Sequence, residues 1–113
     1  MTVRLPAPER RAQLLAAALG VFAADGFQTA TMDAVAAEAG VTKPVLYQHF
    51  PSKRELFLEL LRDVGRRLSD NVGAATARAD SPREMVELGF VAYFHFVADH
   101  PDEFRLLFGE GVR

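Results

Sequence analysis

Gly40 to Glu55, read as GVTKPVLYQHFPSKRE, decides the fold. Gly40 is free to take the left-handed conformation that closes a preceding helix, and Thr42 is placed to cap the amides that open the next one. Ser52 with Glu55 three residues later forms a capping box, so a further helix starts there and the middle one must end near Phe50. What lies between is about two turns of helix, Lys43 to His49, a length suited to a reading head.

Side chains on that short helix divide by face. Val41, Leu46 and Phe50 fall one turn apart and point inward together, leaving Lys43, Pro44, Val45, Tyr47, Gln48 and His49 outside. Lys43 suits guanine edges or phosphate, Gln48 can pair two-pronged with adenine, and Pro44 and Val45 suit a thymine methyl. Tyr47, His49 and Lys53 are candidate phosphate donors. The plainer reading is a helical hairpin with a polar exterior, since helix-turn-helix geometry also occurs outside DNA binders.

Residues 10 to 61 tip this balance. They hold Phe22 and Gly26-Phe27, Thr29-x-Thr31-Met32-x-x-Val35-Ala36, Gly40-Val41-Thr42, Leu46-Tyr47-x-x-Phe50 and Lys53-x-x-Leu56. The run resembles, almost without gaps, the DNA-binding domain of the tetracycline-repressor (TetR) family. It departs at Pro44, where the family most often has glycine, and a proline there disfavours helical geometry at Lys43.

The resemblance implies an all-α fold. A three-helix DNA-binding domain over residues 1 to 54 would be joined by a long fourth helix to a helical ligand-binding and dimerisation domain over residues 55 to 113. Family members continue well beyond this length, so the chain is expected to be truncated, and monomeric or weakly dimeric. The partners implied are double-stranded operator DNA, bound through the major groove at palindromic half-sites, a second copy of the full-length chain, and a small-molecule effector of unknown identity. The implied mechanism is repression relieved when the effector shifts the fourth helix and, with it, the spacing of two recognition helices.

Composition agrees. The 113 residues make about one domain, and half are apolar, as in ordinary folded proteins. With no cysteine there is no disulfide framework, thiol nucleophile or cysteine-bearing zinc finger, and a cytoplasmic location is the default. The net charge of −2 divides unevenly. Residues 1 to 54 carry six Lys/Arg against four Asp/Glu, and residues 55 to 113 carry seven against eleven, giving +2 and −4. That asymmetry suits a head on DNA and a body held off it.

At the amino terminus, residues 1 to 8 read as a loose arm with two prolines, in which Arg4 is a candidate backbone contact. Leu15, Ala18, Leu19 and Phe22 then form the inner stripe of a first helix, which excludes a secretory signal, and Gly26 is placed as its cap. Arg10 and Arg11 stand at the wrong end for the helix dipole, which points to a negative neighbour; in the resembling family that neighbour is phosphate. Thr31 caps the second helix and is a candidate phosphate ligand, with Met32, Val35 and Ala39 facing in.

From Glu55 to about Ala77 a long helix is expected, weakened at Gly65 and Gly73, with Asp63 pairing Arg66 or Arg67. Ser81-Pro82-Arg83-Glu84 opens another helix running to about Asp99. It is apolar on more than one face and so should be covered by neighbours; Phe90, Tyr93, Phe94 and Val97 are candidate effector-binding residues. The uncharged run Leu88 to Ala98 is too short for a bilayer, which takes about 20 residues. A last helical piece spans Asp102 to Phe108, and Leu106, Leu107 and Phe108 are expected to lack cover.

No Gly-rich phosphate loop, nucleophile elbow or zinc-hydrolase motif is present, so no catalytic residue and no cofactor is assigned. His95, Asp99 and His100 are the only grouping that suggests a metal, and none is assigned, because His100 adjoins Pro101 at a helix end. The remaining alternative to a DNA-binding regulator is a helical interaction module.

Overall fold

A computed structural model describes residues 5 to 109, and among these the regular structure is entirely helical. Helix α1 spans Ala7–Thr29, α2 Met32–Ala39, α3 Lys43–His49, α4 Lys53–Thr76, α5 Pro82–Asp99 and α6 Pro101–Phe104, the last running into a π-helical turn at Arg105–Gly109. Arg4 lies outside the described residues.

The amino-terminal arm is shorter than expected. Pro8 lies in the first turn of α1, where a missing N–H breaks no intrahelical bond, and the Arg10 amide donates to the Pro6 carbonyl to start the ladder. Gly26 breaks regular α1 geometry, with φ 78° and ψ 163°, but the chain makes one more turn to Thr29 before the Ala30 amide returns to the Gly26 carbonyl.

Helix α2 is bounded by the devices its sequence suggests. The Thr31 Oγ1 accepts from the Ala34 amide at 3.0 Å. Gly40, at φ 71°, ends the helix in a Schellman motif: the Val41 amide donates to the Ala36 carbonyl and the Gly40 amide to that of Ala37. Thr42 differs from expectation. It precedes α3, but its side chain makes no capping bond. Pro44, two residues on, offers no N–H, but the Val45 amide three residues on, the position that serves Thr31, Ser52 and Ser81, goes unused by the Thr42 hydroxyl. Lys43 nonetheless opens the helix, because the proline falls within the first turn.

One core holds α1 to α4 together: Leu14, Leu15, Ala18, Phe22, Met32, Val35, Leu46, Phe50, Leu56, Leu60 and Val64 are all buried. Helix α4 is continuous through Gly65 and Gly73 to Thr76, its start capped by the Ser52 hydroxyl accepting from the Glu55 amide at 3.1 Å. Asp63 accepts from both Arg66 and Arg67.

Helix α5 lies along α4, and their approach is close at Gly89, where a Cβ would come within 3.3 Å of the Thr76 methyl. Only Ala92 and Phe96 on α5 are buried, while Phe90 and Phe94 are 59% and 61% exposed. The expectation that neighbours cover this helix therefore does not hold among the described residues: a single partner helix shields one stripe, and α5 is apolar on more. Leu106 departs in the other direction. Helix α6 and its π turn fold back onto α1, burying Leu106 in the core and partly covering Leu107, whereas Phe108 stays exposed.

Candidate nucleic-acid interface

The site is built on α3 and the turns that flank it. Leu46 and Phe50 are buried, and Val41 packs partly against the same core, so the inner face matches the helical spacing. Anchoring that face turns Lys43, Pro44, Tyr47 and Gln48 outward; all four are exposed, Tyr47 at 44%. Val45 and His49 are half-buried at the edges, and the His49 ring lies against Phe50, with centroids 6.3 Å apart. Among the described residues the Tyr47 hydroxyl and the Gln48 amide have no protein partner. A polar side chain held on a short, well-anchored helix with its hydrogen-bonding groups unused is suited to reading base edges.

Around α3 the cationic groups are arranged more specifically than sequence spacing suggests. Lys43 pairs with Asp33 across the α2–α3 turn at 3.1 Å. Both side chains are largely exposed, so the pair adds little stability and can give way to a phosphate. Arg10 donates to the Gln13 side chain at 2.6 Å, and Gln13 in turn donates to the Ala39 carbonyl at 3.1 Å, linking α1 to the end of α2. Arg11 points elsewhere: it pairs with Glu59 of α4 and lies over the Phe50 ring, 5.3 Å from its centroid. The negative neighbour expected for Arg11 is thus a carboxylate of this chain.

Lys53 is also placed differently. Its ammonium donates to the carbonyls of Phe27, Ala30 and Gln28 at 2.6, 3.0 and 3.4 Å, and lies 4.5 Å from the centroid of the Phe27 ring. An ammonium has three protons to give, and here three acceptors take them. Lys53 therefore does not join Tyr47 and His49 as an open phosphate donor. Thr31 is exposed at the start of α2, where its hydroxyl accepts from the Ala34 amide while the first-turn amides face outward from the helix end. Thr42 is exposed in the turn, its hydroxyl not used for capping.

The structure does not enclose the four effector-binding candidates in one cavity. Phe90 and Tyr93 border a shallow open depression with Val72, Met85, Val86 and Gly89, while Phe94 and Val97 lie outside it. They share one helical stripe, with Phe94 against both Phe90 and Tyr93, but Phe90 and Phe94 are exposed and no second wall faces them among the described residues. His100 directs Nδ1 to the Phe96 carbonyl at 2.9 Å and stacks on the Phe96 ring, a structural role, and no cluster of metal-ligating side chains occurs among the described residues. None of the described helices is long and apolar enough to cross a membrane.

Asp33 and Gln13 are the residues that reading along the chain missed. Asp33 lies ten positions from Lys43, and Gln13 lies 26 from Ala39, so neither pairing leaves a local signal.

Residues 14–60 match the family described as bacterial regulatory proteins, tetR family. Over 105 residues the chain is 43% identical to the HTH-type transcriptional activator FasR of Mycolicibacterium smegmatis, covering 93% of this chain and 48% of that protein. Over 92 residues it is 37% identical to the HTH-type transcriptional regulator BetI of Agrobacterium fabrum, covering 81% and 44%. The fold superposes on a TetR-like transcriptional regulator from Rhodococcus sp. RHA1 with a TM-score of 0.87 and 36% identity, over 92% of this chain and 57% of that one. The chain spans about half the length of the curated relatives it matches.

Proposed function

The chain belongs to the tetR family of bacterial regulatory proteins, and from that premise we propose that it is a sequence-specific DNA-binding transcriptional regulator. The observation that carries this is the outward face of α3, where Lys43, Pro44, Tyr47 and Gln48 are exposed on a helix pinned from behind by Leu46 and Phe50. Helix α3 enters the major groove; Gln48 and Lys43 meet base edges, and Pro44 with Val45 meets a thymine methyl. Tyr47, His49, Thr42, Arg10 and the Thr31 end of α2 meet phosphates.

Residues 1 to 54 act as the DNA-binding unit, and residues 55 to 113 as the connecting helix and the beginning of an effector and dimerisation domain. The working form is a cytoplasmic homodimer on palindromic half-sites about 34 to 36 Å apart, so a small change in the spacing of the two α3 helices releases the DNA. A small molecule bound in the carboxyl-terminal domain supplies that change through α4, and no catalysis is involved. The direction of control has two readings. Repression is the one the resemblance implies; the similarity to an activator favours the other. A promoter fusion carrying the bound sequence separates them, since removing the protein raises output from a repressed promoter and lowers it from an activated one.

Selection of duplexes from a random pool tests the proposal itself. Recovery of a shared motif that the wild-type chain prefers over a scrambled duplex supports it. A pool that stays random after repeated rounds overturns it in favour of a helical interaction module.

A further inference from the structure

We propose that Lys53 is a positioning residue for the DNA-reading helices and not a phosphate contact: its ammonium staples the carboxyl end of α1 to the start of α4 and so sets where α2 and α3 stand. The inference rests on the DNA-binding reading above.

Helix α1 leaves its own end unsatisfied. After the break at Gly26, the Phe27, Gln28 and Ala30 carbonyls have no following turn to serve, and the last turn holds no basic residue to meet the negative end of the dipole. Lys53 supplies that cation from another helix, bonding all three carbonyls and covering the Phe27 ring. At the first position of α4 a lysine opposes its own helix dipole, so what it reaches explains why it is there.

The contact also reaches further. Phe57, one turn along α4, meets Phe27 edge-on with centroids 4.9 Å apart, so two successive turns of α4 grip the same residue. Ala30, held by Lys53, directly precedes Thr31, the cap of α2. The amino end of α2 is thereby tied to α4, which begins just after α3 ends. The α2–turn–α3 unit is clamped at both ends, and the lysine stem sets the gap between them.

Two variants, Lys53→Met and Lys53→Arg, test this against Lys43→Met as the comparison. Binding is measured by fluorescence anisotropy across a salt series, using a labelled duplex selected from a random pool by the wild-type chain. Amide exchange at Ala34 and Val35 is followed in parallel. As a latch, Lys53→Met loses about tenfold in affinity while its slope of log affinity against log salt stays at the wild-type value, and Ala34 and Val35 exchange faster. Lys43→Met instead lowers the slope by about 1. Lys53→Arg keeps the charge but, being planar, cannot serve three carbonyls in the same way, so it also binds more weakly at unchanged slope.

A Lys53→Met slope reduced by about 1, or a Lys53→Arg chain that binds as wild type, overturns the latch, because a phosphate contact needs only the charge. A wild-type chain that selects no duplex rejects the DNA-binding reading instead, and exchange at Ala34 and Val35 in Lys53→Met then decides the latch alone.

Discussion

Replacing Gly40 by alanine isolates the backbone of the α2–α3 turn from everything around it. At φ 71° an L-residue is strained, yet a Cβ at this position meets no heavy atom within 4 Å. Any loss therefore comes from conformation and not from collision. Placing an L-residue in the left-handed region costs about 1–2 kcal/mol, and stiffening the unfolded chain returns about 0.4–1 kcal/mol. The net expectation is a destabilisation of roughly 1 kcal/mol, or about 4–8 °C in Tm for a domain of this size.

Urea and thermal melts followed by circular dichroism read the change, with D-alanine at the same position as the control. D-Alanine adds the same methyl but prefers positive φ, so it should match or slightly exceed wild-type stability. An L-alanine chain as stable as wild type would refute the reasoning, since the Gly40 and Val41 amides could then close α2 without a left-handed residue. An equal loss with D-alanine would refute it differently, by showing that the space is not open.

The remaining predictions concern single side chains. Gln48→Ala relaxes the selected motif at one base pair of each half-site, at about 1–3 kcal/mol against the preferred base, while leaving the melting curve unchanged; an unaltered motif removes Gln48 from the interface. Arg67→Met leaves Glu103, whose side chain is only 8% exposed, without its cross-helix partner. It should destabilise by about 1–3 kcal/mol, and adding Glu103→Gln should recover part of that loss in urea melts.

How much of this was legible in the sequence depends on the range of the signal. The limits of α3 follow from Gly40 before it and from Ser52 with Glu55 after it, all within reach of a local pattern, and the helix lies from Lys43 to His49 as that pattern requires. The start of α1 was set too late because Pro6 and Pro8 look like breakers, although the first turn of a helix tolerates proline. The Thr42 side chain makes no cap even though the Val45 amide, three residues on as in the Thr31, Ser52 and Ser81 caps, is there to be accepted from, and nothing in the structure explains it.

Longer contacts left no trace along the chain. Lys53 lies 26 residues from the Phe27 carbonyl it bonds, and Arg11 lies 48 from Glu59, so local spacing assigns Lys53 to phosphate and signals a negative neighbour for Arg11 without identifying it. Leu106 looked exposed because its cover comes from the fold-back of α6 onto α1. For α5 the error ran the other way, since its apolar composition suggested cover on more sides than α4 provides.

The most direct measurement is amide shift mapping by NMR as a duplex selected by the wild-type chain is titrated in. The account predicts that the amide resonances that move belong to Arg10, to Thr31 to Ala34 and to Thr42 to His49, Pro44 having no amide, with those of Phe90 to Phe94 in α5 unchanged. Shifts concentrated on α5, with α3 silent, would contradict it and make the exposed aromatic face, and not the recognition helix, the surface that binds.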